Sequence, residues 1–424
     1  MRKRAGLGFA VALAIIGAAV SCTEGPGSAS PPLQSPSPSP SSNATVEPEA
    51  TPAASPAASP EATSSPDPVP ADYNIRAYPL GRLSGNWIFV GKQVRRTDAA
   101  YRSQNQIWAV PLDGGPAKLA FTYDVGTAGI PEAIFDNTPY LRRQFSPDAR
   151  RMVISIAGQL VVVDLVSGRV TFLGTSGYFP AWSKDGSHIA FVFYLPVDQV
   201  VPPEEAIGVI PAGGGPVTQL AKVGYSGRSV EWSPDGSMAI VAQMDRTVIV
   251  AAGTGKVLRE LTQAPYEHAF AHWRTTSPQI AFITARCDEA TTKIIGLDDP
   301  MLPERMLLDT QAQCPALSIR DPRWNPAKAS ELLYVATRAE PGRMPHEYRA
   351  HLLDVVSGRD TVLPFDAYEA TWTWDGERIA YLTANVQLGF GDSVNVSRRD
   401  GSGSRNLLSA TGDDFFFSVA SVNY

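Results

Sequence analysis

Read for side chains able to do chemistry, the 424-residue chain offers few constellations. His268-Ala-Phe-Ala-His272 has an i, i+4 spacing that on a helix would place two imidazoles together, as in a zinc pair. On a strand the same spacing separates them by roughly 13 Å, at about 3.3 Å per residue, too far to share an ion. Gly224-Tyr-Ser226-Gly227 approaches the G-x-S-x-G nucleophile elbow but lacks its final spacing, and no α/β segment of the size that elbow requires follows. Gly253-Thr254-Gly255-Lys256 has neither the spacing of a phosphate loop nor its Ser/Thr, and reads as a hairpin turn. No catalytic residue, metal or cofactor is therefore assigned. What remains are Cys22, the pair Cys287 and Cys314, and a set of polar residues at repeating positions.

Cys22 sits at the end of an N-terminal address. Arg2, Lys3 and Arg4 precede an apolar run, Ala5 to Val20, that is short and rich in Ala and Gly, the pattern of a secretory signal over residues 1–21. It closes on Ala19-Val20-Ser21-Cys22, which resembles the bacterial lipobox; the resemblance implies diacylglyceryl transfer to the Cys22 thiol and a mature chain anchored by lipid to a bacterial membrane, outside the cytoplasm. From the cysteine to residue 72 the chain is mostly Pro, Ser, Ala, Thr and Glu with no aromatic residue, a composition that cannot bury enough apolar surface to fold. As a tether of that length it spans roughly 40 Å. In an oxidising location, Cys287 and Cys314 are expected to form a disulfide across a junction between repeats, with two buried thiols as the alternative.

Residues 73–424 repeat a single phrase. Phe145-Ser-Pro-Asp148, Trp182-Ser-Lys-Asp-Gly186, Trp232-Ser-Pro-Asp-Gly236 and Trp372-Thr-Trp-Asp-Gly376 are its clearest copies, with weaker ones at Trp273 and Trp324. Each is followed by an apolar β-rich run such as HIAFVFY or RIAYLTA, then by a second run ending in a Gly turn: Asp164 to Gly168, Ala251 to Gly255, Asp354 to Gly358. An earlier unit keeps only NWIFVGK, QIWAVPL and Asp113-Gly-Gly115. The terminal FFFSVASVNY has no unit of its own and is expected to supply the strand that the first unit lacks. Each unit reads as four short antiparallel strands that cannot bury both faces alone, so units must stack about an axis. The expected fold is all-β: one β-propeller, seven four-stranded blades of about 50 residues, with six or eight as alternatives. The Trp and Phe anchors are expected core residues.

The SPDG phrase followed by IAF-type strands and a D-x-x-x-G turn resembles the WD-like repeat of the TolB propeller family, over most of residues 83–409. The resemblance implies the fold and carries no catalytic or binding residue with it.

Within that frame the residue just before each anchor, where inner strands border the axis, is Gln144, Ala181, Glu231, His272, Arg323 or Thr371. With Arg142, Asp321 and Glu369 two positions earlier, these predict a mixed-charge ring; Arg142, Gln144, Glu231, His272, Asp321, Arg323 and Glu369 are the candidate binding residues. First and third turns are tight, whereas residues 92–104, 195–205, 338–349 and 385–392 carry insertions on the opposite face, which is the expected binding face. The net charge of −6 offers no attraction for nucleic acid. The function expected is a membrane-tethered binding or scaffold module for a protein or an envelope glycan. The alternative is a propeller lyase or hydrolase with acid and base at the tunnel mouth.

Overall fold

The Ser/Thr-x-Asp-Gly phrase turns out to be a self-contained locking device. In each copy the hydroxyl donates to the Asp two residues on: Ser146 to Asp148, Ser183 to Asp185 and Ser233 to Asp235 at 2.6 Å, Thr373 to Asp375 at 2.5 Å. The same oxygen accepts the backbone N–H five residues on, from Arg151, His188, Met238 and Arg378. Gly186, Gly236 and Gly376 then take φ of 71, 74 and 71°, and Ala149, at the equivalent position of the copy without Gly, is forced to 56°. The turn therefore sets a tight hairpin wherever the phrase occurs.

In this computed structural model the described residues are 74–95, 103–125, 141–156, 158–195, 205–224, 227–243, 247–261, 271–286, 291–310, 317–338, 347–385, 390–412 and 414–423, all within one unit, Ser64–Tyr424. Cys22, His268, Cys287, Cys314 and most of the long insertions lie outside them. The architecture is all-β, with one four-residue 3-10 helix, Leu141–Gln144, among the described residues. The sheets are antiparallel and mostly four-stranded meanders, as in Tyr178–Trp182, His188–Tyr194, Glu205–Pro211 and Thr218–Gly224. In one unit the inner strand is replaced by the 3-10 helix, leaving a Phe145–Met152 bridge ahead of a three-stranded sheet. The C-terminal strand Phe415–Asn423 pairs with Asn86–Arg95 from Asn86 to Gln93 and touches Phe390–Arg398, so first and last units share one nine-stranded sheet. Gly91 makes this possible, because a Cβ there would lie 2.2 Å from the Phe417 ring.

The core lies between repeat units rather than within one. One cluster joins Ala190, Val192 and Ile207 to Ala239, Val241, Val248 and Val250 of the next sheet. Others join Ile283 and Ile294 to Leu332 and Leu353, and Ile88 and Val110 to Leu382 and Val394. The inner elements touch in series, from Leu141–Gln144 through Tyr178–Trp182, Gly227–Trp232, His272–Trp273, Leu317–Trp324, Glu369–Trp372 and Phe415–Asn423 back to the 3-10 helix. This closed ring of packed antiparallel meanders is consistent with a propeller.

The anchor tryptophans stitch the ring. The indole N–H of Trp232 donates to Ala181 O (3.3 Å), that of Trp273 to Glu231 O (3.2 Å) and that of Trp372 to Arg323 O (3.0 Å). In each case the acceptor is the residue immediately before the anchor of an adjoining unit, so the tryptophans fix the backbone of the candidate ring itself. Trp372 is 2% exposed, and Trp372→Ala is expected to cost about 3–5 kcal/mol. Trp232, expected from the sequence to be core, is half-buried, so Trp232→Ala should cost clearly less. Chemical denaturation of the two variants checks the ranking.

Gly253-Thr-Gly-Lys256 is a turn. Gly255 N donates to Ala251 O at 2.8 Å, φ is 66°, and a Cβ would fall 1.4 Å from Leu220 O, so no side chain fits there.

Candidate functional site

The inner elements bring five of the seven candidate residues into one ionic chain and add one the sequence reading left out. Arg143 Nη2 lies 2.6 Å from Glu231 Oε2 and 2.8 Å from His272 Nδ1. His272 Nδ1 is 3.0 Å from the same Glu231 oxygen, and its Nε2 lies 2.5 Å from Asp321 Oδ1. Arg323 Nε donates to Asp321 Oδ2 at 2.7 Å, and its Nη2 stands 3.9 Å from Glu369 Oε1. Ser418 of the C-terminal strand donates to that Glu369 oxygen at 3.4 Å. The order Arg143, Glu231, His272, Asp321, Arg323, Glu369 thus follows the ring of inner elements.

Local backbone explains how these side chains converge. In Leu317–Trp324 the pairing slips between Arg320 and Arg323, where Pro322 lacks the N–H the ladder needs. Asp321 occupies the bulge at φ 51°, a left-handed conformation that Asp tolerates better than most residues. Asp321 and Arg323, two positions apart, share one side of the strand, where their side chains meet. Phe179-Pro180 produces the same slip in Tyr178–Trp182, with Phe179 at φ 53°. Arg143 reaches the far side of the ring, donating also to Ala271 O at 3.2 Å; Ala181, the one apolar member of the candidate ring, puts no side chain in its way.

Burial and charge act in opposition here. Burial alone would push the Asp321 carboxyl up, but the adjoining Arg323 guanidinium and His272 hold it well below the usual carboxylate range. Glu231 is likewise lowered, burial being outweighed by Arg143 and the His272 hydrogen bond. Glu369 goes the other way: burial raises it well above its ordinary value, and Arg323 offsets only part of that. Its Oε2 has no hydrogen-bond partner among the described residues, which fits a protonated acid. Burial lowers Arg323, but Asp321 and Glu369 reverse this and raise it.

Above the ionic chain lies a cavity of about 240 Å³, lined by Arg142, Arg143, Glu231, His272 and Arg323 at its floor and by the turns Ser146-Pro147, Ser183-Lys184 and Ser233-Pro234 at its rim. It opens among the tight turns. Gln144 is buried without joining the ionic chain, and Asp321 and Glu369 do not line the cavity, lying behind it as supports. Arg142 donates to Thr275 Oγ1 at 3.0 Å, with its guanidinium 5.6 Å from the Trp374 ring.

Arg143, Thr275 and Trp374 were not anticipated. A strand reading with period two puts Arg143 on the opposite side from Arg142 and Gln144, whereas a 3-10 turn of about three residues lets neighbours radiate inward together. Trp374 carried a signal in hindsight: it is a large aromatic at a turn position occupied by Pro or Lys in sister copies, and it is 43% exposed. No group of His, Cys, Asp and Glu suited to a metal occurs among the described residues.

Antiparallel meanders packed around a ring of inner strands, with a charged cavity at its centre, define an all-β protein of propeller type. No family model matches the sequence, and no curated protein matches it. Among solved structures the chain is similar to TolB from Acinetobacter baumannii (14% identity, 78% of this chain and 82% of that one, TM-score 0.40). It is also similar to a putative TolB from Agrobacterium tumefaciens (13%, 80% and 99%, 0.39). A third is the Pyrococcus horikoshii acylaminoacyl peptidase (14%, 79% and 52%, 0.49).

Proposed function

We propose that the protein is a lipid-anchored, extracytoplasmic binding module: a seven-bladed propeller on a Pro/Ser/Ala tether, whose ligand, a protein or an envelope glycan, enters the central cavity. The blade count is supported by the closed series of inner elements and by apolar clusters that each join two neighbouring units. The observation that carries the binding reading is the convergence of charged side chains from successive units on one cavity floor. Glu231, the carboxylate facing that cavity, is held ionised by Arg143, which suits ion pairing better than proton transfer near neutral pH. Glu369, whose raised affinity for protons would suit an acid, lies outside the lining.

Two experiments test this. A photo-cross-linking residue at Lys184, on the cavity rim, should form adducts with an envelope component in intact cells, while the same residue at Tyr194, at the end of His188–Tyr194 toward the long-insertion face, should not. Adducts from position 194 alone would move the ligand to the long-insertion face. For the anchor, Cys22→Ser should release the chain from membranes or leave it unprocessed; unchanged processing and membrane retention would refute lipidation.

A further inference from the structure

The ion pairs at the centre leave one cation over. Arg143 is matched by Glu231 and Arg323 by Asp321, while Glu369 is neutral as long as burial keeps it protonated. Among the described residues the Arg142 guanidinium meets the Thr275 hydroxyl and the Trp374 ring, and no carboxylate pairs with it. It sits at the floor of the cavity, surrounded by protein atoms yet reachable by solvent. Burial, followed by the nearby Arg323, brings its pKa down to about 10, a sign that its charge is poorly compensated. Lys184, exposed on the rim, has no ion-pair partner among the described residues. A cavity floor with a surplus positive charge, in a chain whose net charge is −6, is a local receptor for an anion.

The surroundings narrow the ligand further. At about 240 Å³ the cavity lies below the roughly 300–1,000 Å³ of sites for drug-sized molecules, so it holds a ring-sized group rather than an extended chain. A single unmatched guanidinium at the floor fits a monoanion that it can hold through paired N–H donors. The exposed indole of Trp374 offers a flat apolar surface beside it. We propose that the cavity is a carboxylate receptor for a hexuronic acid residue of an envelope glycan, with Arg142 on the carboxylate and the sugar ring lying along Trp374. This rests on the reading of the cavity as the ligand site, and it selects the glycan over the protein.

The test uses the full chain, detergent-solubilised, with tetrasaccharides of glucuronate, galacturonate and mannuronate, their carboxyl-reduced counterparts, and a tripeptide with a free C-terminal carboxylate. Calorimetric titration should show binding of at least one uronate series and a loss of at least about tenfold on carboxyl reduction, as expected when a charge-assisted contact is removed. Arg142→Met should lose at least as much while melting no lower than the parent, because it removes an uncompensated cation and keeps the stem. Trp374→Ala should also weaken binding. Equal affinity for the reduced sugar, unchanged affinity in Arg142→Met, or no binding to any uronate would overturn the proposal, as would binding of the tripeptide alone, which would make the receptor one for peptide termini. If uronates fail while rim adducts at position 184 persist, the cavity remains the ligand site for a different ligand; if both fail, the binding reading falls with it.

Discussion

A chain ending at Asp414 is expected not to fold cooperatively. The strand Phe415–Asn423 pairs with the first unit from Asn86 to Gln93, and without it the first unit loses its inner strand and the ring stays open. Phe416, Phe417, Val419 and Val422 are at most 5% exposed. At about 1.5–3 kcal/mol for each large apolar side chain, their loss removes about 6–12 kcal/mol, close to the whole of a typical domain's stability of about 5–15 kcal/mol. The strand also reaches the site: Ser418 supports Glu369, and Ser421 Oγ accepts the Trp374 N–H at 3.0 Å. Circular dichroism during urea unfolding of the truncated chain should show a broad, non-cooperative loss of signal. A sigmoidal transition with a midpoint near that of the parent would mean that the terminal strand is dispensable.

Asp321→Asn is expected to cost about 3–5 kcal/mol at pH 7, the range for breaking a buried ion pair by removing one partner. Asn suits the left-handed backbone at this position, so the substitution tests the charge and not the bulge. It leaves Arg323 and His272 facing each other with the shared anion gone. The pH dependence has a definite sign. The folded-state pKa of Asp321 lies below its unfolded value of about 3.9. Its contribution is therefore fully present above about pH 4 and fades as the pH falls through the folded value. The gap between parent and variant should stay constant from neutral pH down to about pH 4 and close only in stronger acid. A gap below about 1 kcal/mol at pH 7 would mean that the ionic chain contributes little to the fold.

Glu369 adds an opposite dependence. Its raised pKa means that its contribution is present below the unfolded value of about 4.3 and is lost as the pH rises through the folded one. Glu369→Gln mimics the protonated acid and so separates the two effects.

Much of this was legible in the chain. The Ser/Thr-x-Asp-Gly phrase is local: its hydroxyl, carboxylate and Gly act within six residues, so each copy announces a hairpin wherever the chain later packs it. The period of the phrases implies stacked units, because one meander leaves a face uncovered, and a final apolar segment without a unit of its own has to pair somewhere. The positions before the anchors were found for the same reason, since a strand alternates sides and the anchor marks which side is core. Glu231, His272 and Arg323 follow from that alternation.

Tertiary structure decided the rest, and the reason is that it depends on departures from alternation and on contacts across the ring. A 3-10 helix in place of one inner strand turned Arg143 inward beside Arg142, and a bulge at Asp321-Pro322 put Asp321 in a left-handed backbone within reach of both His272 and Arg323. Neither departure shows in a period-two pattern, though a Pro two residues before an anchor marks the bulge in both strands that have it. Which charge meets which was likewise hidden: Arg143 pairs with Glu231 of a non-adjacent unit. The unmatched Arg142 emerges only once every neighbouring carboxylate has been claimed by another partner. Sequence by itself determined the repeating unit, its turns and the polar ring, since these rest on interactions a few residues apart; the three-dimensional closure of the ring decided how those polar residues pair and where their charge is left uncompensated, since that depends on distances between units far apart in the chain.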